Sequence, residues 1–224
     1  MSDPQRASRE KKYLRSELEH LGTGTPQMRT VAKGFVRANR DAARTVVLDV
    51  VTSLWSHPVF EARAVGVELL DSYGPVLHAS DARLVEKLIR GSGTWALVDP
   101  LAVNVAGALV QRFDELGGTL DAWAVDDDFW VRRASMLALL RPLRRGDGDF
   151  TRFGRYADAM LDEREFFIRK AIGWILRETS KKRPDLVYEW LLPRAGRASG
   201  VTTREAVKYL SAKQRARIEQ ERDR

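Results

Sequence analysis

The sequence predicts an all-α protein built as a solenoid of antiparallel helix pairs, and three observations carry that prediction. Apolar residues recur with the 3.6-residue period of helices, and the alternating strands closed by Asn-Gly or Asp-Gly hairpin turns are absent. Turn punctuation falls at Gly22 to Pro26, Tyr73 to Pro75, Gly91 to Gly93, Gly117-Gly118, Arg145 to Gly148 and Arg183-Pro184, leaving segments of ordinary helix length between the breaks. The third observation is an internal repeat. Phe60-Glu-Ala-Arg63-Ala64 returns as Trp130-Val-Arg-Arg133-Ala134 and as Phe167-Ile-Arg-Lys170-Ala171, each an aromatic, two residues, a cation and an alanine.

The repeats at 60 and 130 stand 70 residues apart, or two periods of 35, and the slot between them, at residue 95, holds Trp95. Helix pairs repeating every 35 to 40 residues are the pattern of HEAT-like solenoids, in which neighbouring pairs share one continuous core. The second helix of each pair is expected to begin at the repeated aromatic. Such second helices line one surface, usually concave, so Arg63, Arg133 and Lys170 are expected to form a stripe of cations along it. Residues 11–212 are expected to form a single HEAT-like repeat domain. The polar segment 1–10 is expected to be a disordered tail, and 213–224 a charged C-terminal tail.

Composition narrows the function classes. With 224 residues, 44% of them apolar, the chain can bury a sizeable core. Lys and Arg number 38 against 31 for Asp and Glu, a formal charge of +7, which biases the protein toward polyanions such as nucleic acid. The absence of cysteine removes disulfides, thiolate metal sites and cysteine nucleophiles. His20, His57 and His78 are scattered, so no metal site and no cofactor are expected. No apolar run is long enough to span a bilayer. A cytoplasmic, monomeric protein is expected, held at the bacterial nucleoid when bound to DNA.

Two anomalies interrupt the repeat. At the Trp95 slot the cation is missing and a carboxylate stands at the alanine position, Trp95-Ala-Leu-Val-Asp99-Pro100. On a helix starting at Trp95, residues 95 and 99 share a face, with Ala102 and Ala106 continuing it as a flat shoulder. Asp99-Pro100 is equally the pattern of an N-cap followed by the first helical residue. Trp174 is the second anomaly: it shares the polar face of its helix with Lys170 and Arg177, while Phe167, Ala171 and Ile175 make the expected buried stripe.

The motifs Trp95-Ala-Leu-Val-Asp99, Trp130-Val-Arg-Arg133 and Phe166-Phe-Ile-Arg-Lys-Ala-Ile-Gly-Trp174-Ile-Leu-Arg177-Glu resemble those of the AlkD-like DNA alkylation repair glycosylases, over roughly Tyr13 to Leu210. The resemblance implies a HEAT-like fold with a concave DNA-binding face and a catalytic cluster of Trp95, Asp99 and Trp174. It also implies that Arg133 holds a DNA phosphate and that Tyr13, Thr25 and Arg177 approach the duplex. Gly24 departs from better-known members, which carry a polar side chain before the threonine.

The expected function is excision of cationic alkylated purines, 3-methyladenine and 7-methylguanine, from double-stranded DNA, working from the backbone side without an aromatic-lined base pocket. The alternative is a non-catalytic repeat protein that binds bent or branched DNA; a protein-binding scaffold would need neither the charge nor the tryptophans.

Overall fold

The computed structural model describes residues 3–223, and among them helices account for all regular structure apart from one isolated bridge between Glu19 and Val59. Among the described residues no helix is long and apolar enough to cross a membrane. The chain divides into two compact units, Met1–Leu116 and Gly117–Arg224.

The first unit holds α1 (Pro4–Leu14), α2 (Thr25–Ala38), α3 (Arg44–Ser56), α4 (Phe60–Ser72), α5 (Ala82–Arg90) and α6 (Trp95–Pro100). A π-helical turn, Leu101–Ala106, runs on into α7 (Gly107–Arg112). Helix α4 packs on both α2 and α3, and α5 packs on the π turn. Val47, Val51, Leu69, Leu70, Ile89, Leu97 and Leu101 form the buried core. The first ten residues, expected to be disordered, are helical from Pro4 onward. Asp3 caps the helix by accepting from the Arg6 amide, and Pro4 supplies a first helical residue that needs no N–H partner. The Asp3 amide also donates to the Leu21 carbonyl across the turn at Gly22. There φ is +75° and a Cβ would fall 2.1 Å from the Asp3 carbonyl oxygen, so only glycine lets the two segments close.

The second unit holds α8 (Gly117–Trp123), α9 (Phe129–Leu137), α10 (Leu140–Arg145), α11 (Phe150–Ala159), α12 (Phe166–Ser180), α13 (Pro184–Leu191), α14 (Gly200–Ala206) and α15 (Ala212–Arg222). Helix α12 is its centre, packed against α9, α10, α13 and α14. Its buried face is Ile168, Ala171, Ile172, Ile175 and Leu176, whereas Phe167, expected in that stripe, is only half-buried. The segment expected as a charged tail from 213 is helix α15, started by a reciprocal Ser211–Gln214 capping box and anchored by the fully buried Ile218.

The repeat has the expected phase. Helices α4 and α6 begin at Phe60 and Trp95, and α9 and α12 begin one residue before Trp130 and Phe167. The period also appears in ion pairs between residues one repeat apart. Lys170 pairs with Glu205 and Arg197 with Asp162 at a separation of 35 residues, Arg194 with Asp158 at 36, Arg155 with Asp121 at 34 and Arg44 with Asp81 at 37. Stacking one helix pair on the next brings equivalent positions side by side, and opposite charges meet there.

Candidate nucleic-acid interface and active site

Helix α6 decides between the two readings of Asp99. The helix begins at Trp95, and its cap is Thr94, whose side chain accepts from the Ala96 amide and donates to the Leu14 carbonyl at 3.2 Å. Asp99 is therefore the fifth helical residue and not the cap. It is half-exposed, as is Trp95 one turn before it.

Pro100 sits inside the helix. It has no N–H to offer the Ala96 carbonyl, and its ring crowds that carbonyl. The next turn widens, and the Gly107 amide reaches back five residues to the Ala102 carbonyl. Such π turns concentrate at functional sites. The widened turn also shifts the helix face: Ala102 and Ala106, expected as an open shoulder beyond Asp99, are buried, and Val103 and Asn104 are half-exposed. A 3.6-residue period cannot foresee that shift, although a proline at the sixth position of the helix signals a break.

Tyr13 on α1 is 73% exposed and meets Trp95 edge-on, with ring centroids 5.9 Å apart at 86°. Beside this pair lies a cavity of about 360 Å³ whose walls include Tyr13, Thr25, Met28, Phe60, Trp95 and Pro100. No aromatic-lined slot is evident in the sequence, because the three rings come from α1, α4 and α6. Asp99 does not line this cavity. Thr25 is exposed at the first turn of α2. Gly24 caps that helix, and a Cβ there would fall 2.7 Å from Gln27 Oε1 and 2.8 Å from the Arg6 guanidinium, so any side chain at this position has to displace both.

The expected cations are all engaged inside their own units. Arg63 donates to the backbone carbonyls of His57 (3.2 Å) and Gly91 (2.7 Å) and lies over the Trp55 ring. Burial pushes its pKa below the ordinary arginine value. Arg133 is only 3% exposed. Its guanidinium donates to the Phe167 carbonyl in the first turn of α12 and lies over the Phe167 ring, so a phosphate reaches it only if that contact opens.

Lys170 and Arg177 remain at the surface, with 40% and 25% of their side chains exposed. Both are held by Glu205. That carboxylate accepts from Lys170 (2.8 Å), Lys208 (3.0 Å) and Arg177. Burial alone would push the Glu205 carboxyl up, but the hydrogen bonds from Lys170 and Lys208 and the charge of Arg177 outweigh it and hold the group at about 2.

The approach of α14 that brings Glu205 there depends on Gly173, where a Cβ would fall 2.9 Å from both Glu205 Cβ and the Thr202 carbonyl oxygen. Next to this cluster Glu178 takes Arg144 at 3.0 Å, Lys181 at 2.9 Å and Arg177 at 3.3 Å. Five cations around two carboxylates leave an excess of three positive charges on this face of the second unit. Trp174 is half-exposed on α12, four residues after Lys170 and three before Arg177. Periodicity alone places Lys170, Trp174 and Arg177 together; it does not disclose Glu205 as the partner of Lys170 and Arg177, although Glu205 lies one 35-residue period after Lys170.

Residues 1–210 match the family described as DNA alkylation repair enzyme. The chain belongs to this family. A search of curated proteins found no match. Among solved structures, a predicted DNA alkylation repair enzyme from Enterococcus faecalis superposes with a TM-score of 0.86 at 20% identity, covering 95% of this chain and 98% of that one. AlkD2 from Streptococcus mutans gives 0.66 at 17% identity, over 93% of this chain and 99% of its own. Smu.31 from Streptococcus mutans UA159 gives 0.64 at 16%, over 92% and 98%. At these identities the structural likeness establishes the fold, a helical repeat of the AlkD type. Membership of the repair family rests on the match along the sequence.

Proposed function

We propose that the protein is a monofunctional DNA glycosylase that hydrolyses the N-glycosidic bond of cationic alkylated purines, 3-methyladenine and 7-methylguanine, in duplex DNA, as the first step of base excision repair. The observation that carries the reading is the half-exposed Asp99 one helical turn beyond the half-exposed Trp95, on a helix whose cap is supplied by Thr94. This carboxylate does not cap its helix, and it takes the alanine position in the one repeat that lacks the cation.

An N3- or N7-alkylated purine carries a positive charge and leaves without protonation, so no general acid is required. As the bond breaks, positive charge grows on the deoxyribose C1′. A carboxylate near the sugar binds that state more strongly than the ground state, and this difference lowers the barrier. Asp99 would also orient the attacking water. Indole faces are electron-rich, so Trp95 would cradle the cationic nucleotide, while Tyr13 buttresses Trp95 from the edge; the family pattern gives Trp174 the same chemistry within the second unit.

Lys170 and Arg177 are the proposed phosphate contacts, with Thr25 near the duplex; Arg63 and Arg133 would join them only by leaving their carbonyl partners. The test is incubation with methylated duplex DNA and chromatographic detection of free 3-methyladenine and 7-methylguanine. Release of neither base, from a protein that binds the duplex, overturns the glycosylase reading and leaves the non-catalytic one.

A further inference from the structure

A cluster in the first unit stands apart from the proposed chemistry. Glu10 on α1, His20 in the turn that follows it and Glu61 on α4 each offer a ligand atom, and the three atoms lie within 4.8 Å of one another. His20 is 9% exposed, yet neither of its ring nitrogens has a hydrogen-bond partner. Glu10 Oε2 is likewise buried without a partner, while its Oε1 accepts from Arg6 Nε at 2.6 Å. A buried polar atom left unpaired costs free energy, and such atoms are rare in folded proteins. Here two residues from different elements, each with a buried unpaired atom, stand together with a third carboxylate. We propose that Glu10, His20 and Glu61 bind one divalent transition-metal ion of the Zn2+ class.

The donor set fits that class. One imidazole and two carboxylates are borderline-hard ligands that suit Zn2+, and the two negative charges match a dication. Burial keeps the His20 pKa below its usual value despite the nearby Glu61 and Glu10 charges, which favours the neutral imidazole that coordinates metals.

The ligands are also oriented from outside. The His20 ring stacks on Phe60 with centroids 4.7 Å apart at 7°. Glu61 Oε1 accepts from the Leu21 and Thr23 amides, and Oε2 from Leu21, all at 3.0 Å, the kind of outer hydrogen bonding that positions metal ligands. Ligand atoms around Zn2+ at about 2.0–2.2 Å stand roughly 3.3–3.6 Å apart, so loading requires a contraction of about 1 Å, which the torsions of Glu10 can supply. The scattered histidines gave no sign of this site, because its ligands come from α1, a turn and α4. Glu10 and Phe60 also line the cavity beside Trp95, so the ion would fasten α1, and Tyr13 with it, to that wall.

The experiment uses the full chain, stripped with EDTA and exchanged into chelator-free buffer. Zn2+ is then titrated by calorimetry, and metal retained after gel filtration is counted by mass spectrometry. One Zn2+ per chain is expected in the wild type and in His57→Gln, with less than a tenth of that in His20→Gln and in Glu10→Gln. At a hundredfold excess of free Zn2+ over Kd the melting temperature should rise by roughly 5–10 °C. Glu10→Gln keeps the Leu21 and Thr23 contacts of Glu61 and covers the case in which His20→Gln does not fold. Substoichiometric retention by the wild type, or equal retention by the wild type and Glu10→Gln, overturns the proposal. Neither readout depends on glycosylase activity.

Discussion

Replacing Asp99 by Asn separates catalysis from structure, because shape and most hydrogen bonding survive and only the charge is removed. A unit charge 4 Å from C1′ is worth roughly 1 kcal/mol in water and 4 kcal/mol at an effective dielectric near 20. Asp99 is half-exposed in the free protein, and a duplex lying over it would shift it toward the second value. A loss of about 2.7 kcal/mol of transition-state stabilisation, a hundredfold fall in rate, is therefore expected.

Stability should not follow, because α6 is capped by Thr94. Asp99→Asn should melt within about 1 °C of the wild type. Thr94→Ala, which loses a cap worth about 1 kcal/mol, should melt roughly 2–4 °C lower. The assay is single-turnover release of 7-methylguanine, with DNA affinity and melting temperature measured on the same preparations. Wild-type excision by Asp99→Asn would refute the electrostatic role, and a fall in affinity matching the fall in rate would move Asp99 from catalysis to binding.

Glu205 is held at about 2 against an ordinary 4.5, so its contribution to stability is present in full above about pH 4.5 and is lost as the pH falls toward 2. Glu205→Gln should flatten the melting-temperature profile over that window, and parallel wild-type and variant profiles would contradict the assignment. The same variant releases Lys170, Arg177 and Lys208 from their carboxylate, so its affinity for plain duplex at low salt should rise several-fold and fall more steeply with added salt. Arg133→Ala should lower the melting temperature by several degrees, because the Phe167 carbonyl loses its buried donor; an unchanged melting temperature would mean that this contact contributes nothing to folding. Ala64→Phe would place a ring in the cavity beside Trp95, and excision should stay within a few-fold of wild type if the target base is not drawn into it. A hundredfold loss with DNA affinity unchanged would assign the cavity to the extruded base.

What the sequence could disclose follows from the range over which each feature is encoded. Helix starts at Phe60 and Trp95 are local: an aromatic after a cap recurs every 35 residues or so, and a single chain displays that period without any alignment. The same phase carries Asp99 into the interior of α6, and the structure removes the competing cap reading by showing Thr94 in that role. The π turn after Pro100 lies just beyond such reasoning, because a fixed helical period extrapolated across the proline puts Ala102 and Ala106 on the wrong side. The cavity and the Glu10–His20–Glu61 cluster lie further out of reach, since each draws its residues from separate elements with no fixed spacing.

The charge stripe fails for a different reason, and the failure bears on how the protein would hold DNA. Position in a repeat predicts where a cation stands but not what it touches. Arg63 and Arg133 are used up on backbone carbonyls, and Lys170 and Arg177 on Glu205. A net charge of +7 therefore overstates the number of side chains free to meet phosphates. Lys170 is 40% exposed and Glu205 would keep Lys208 and Arg177 as partners, so exchanging the carboxylate for a phosphate at Lys170 leaves no buried charge unpaired. The buried Arg133 contact is dearer to break. Phosphate binding should thus begin at Lys170 and Arg177 on α12, beside Trp174, where Glu205 of α14 now holds them, and the slope of affinity against salt should report the few cations released there in place of the whole stripe.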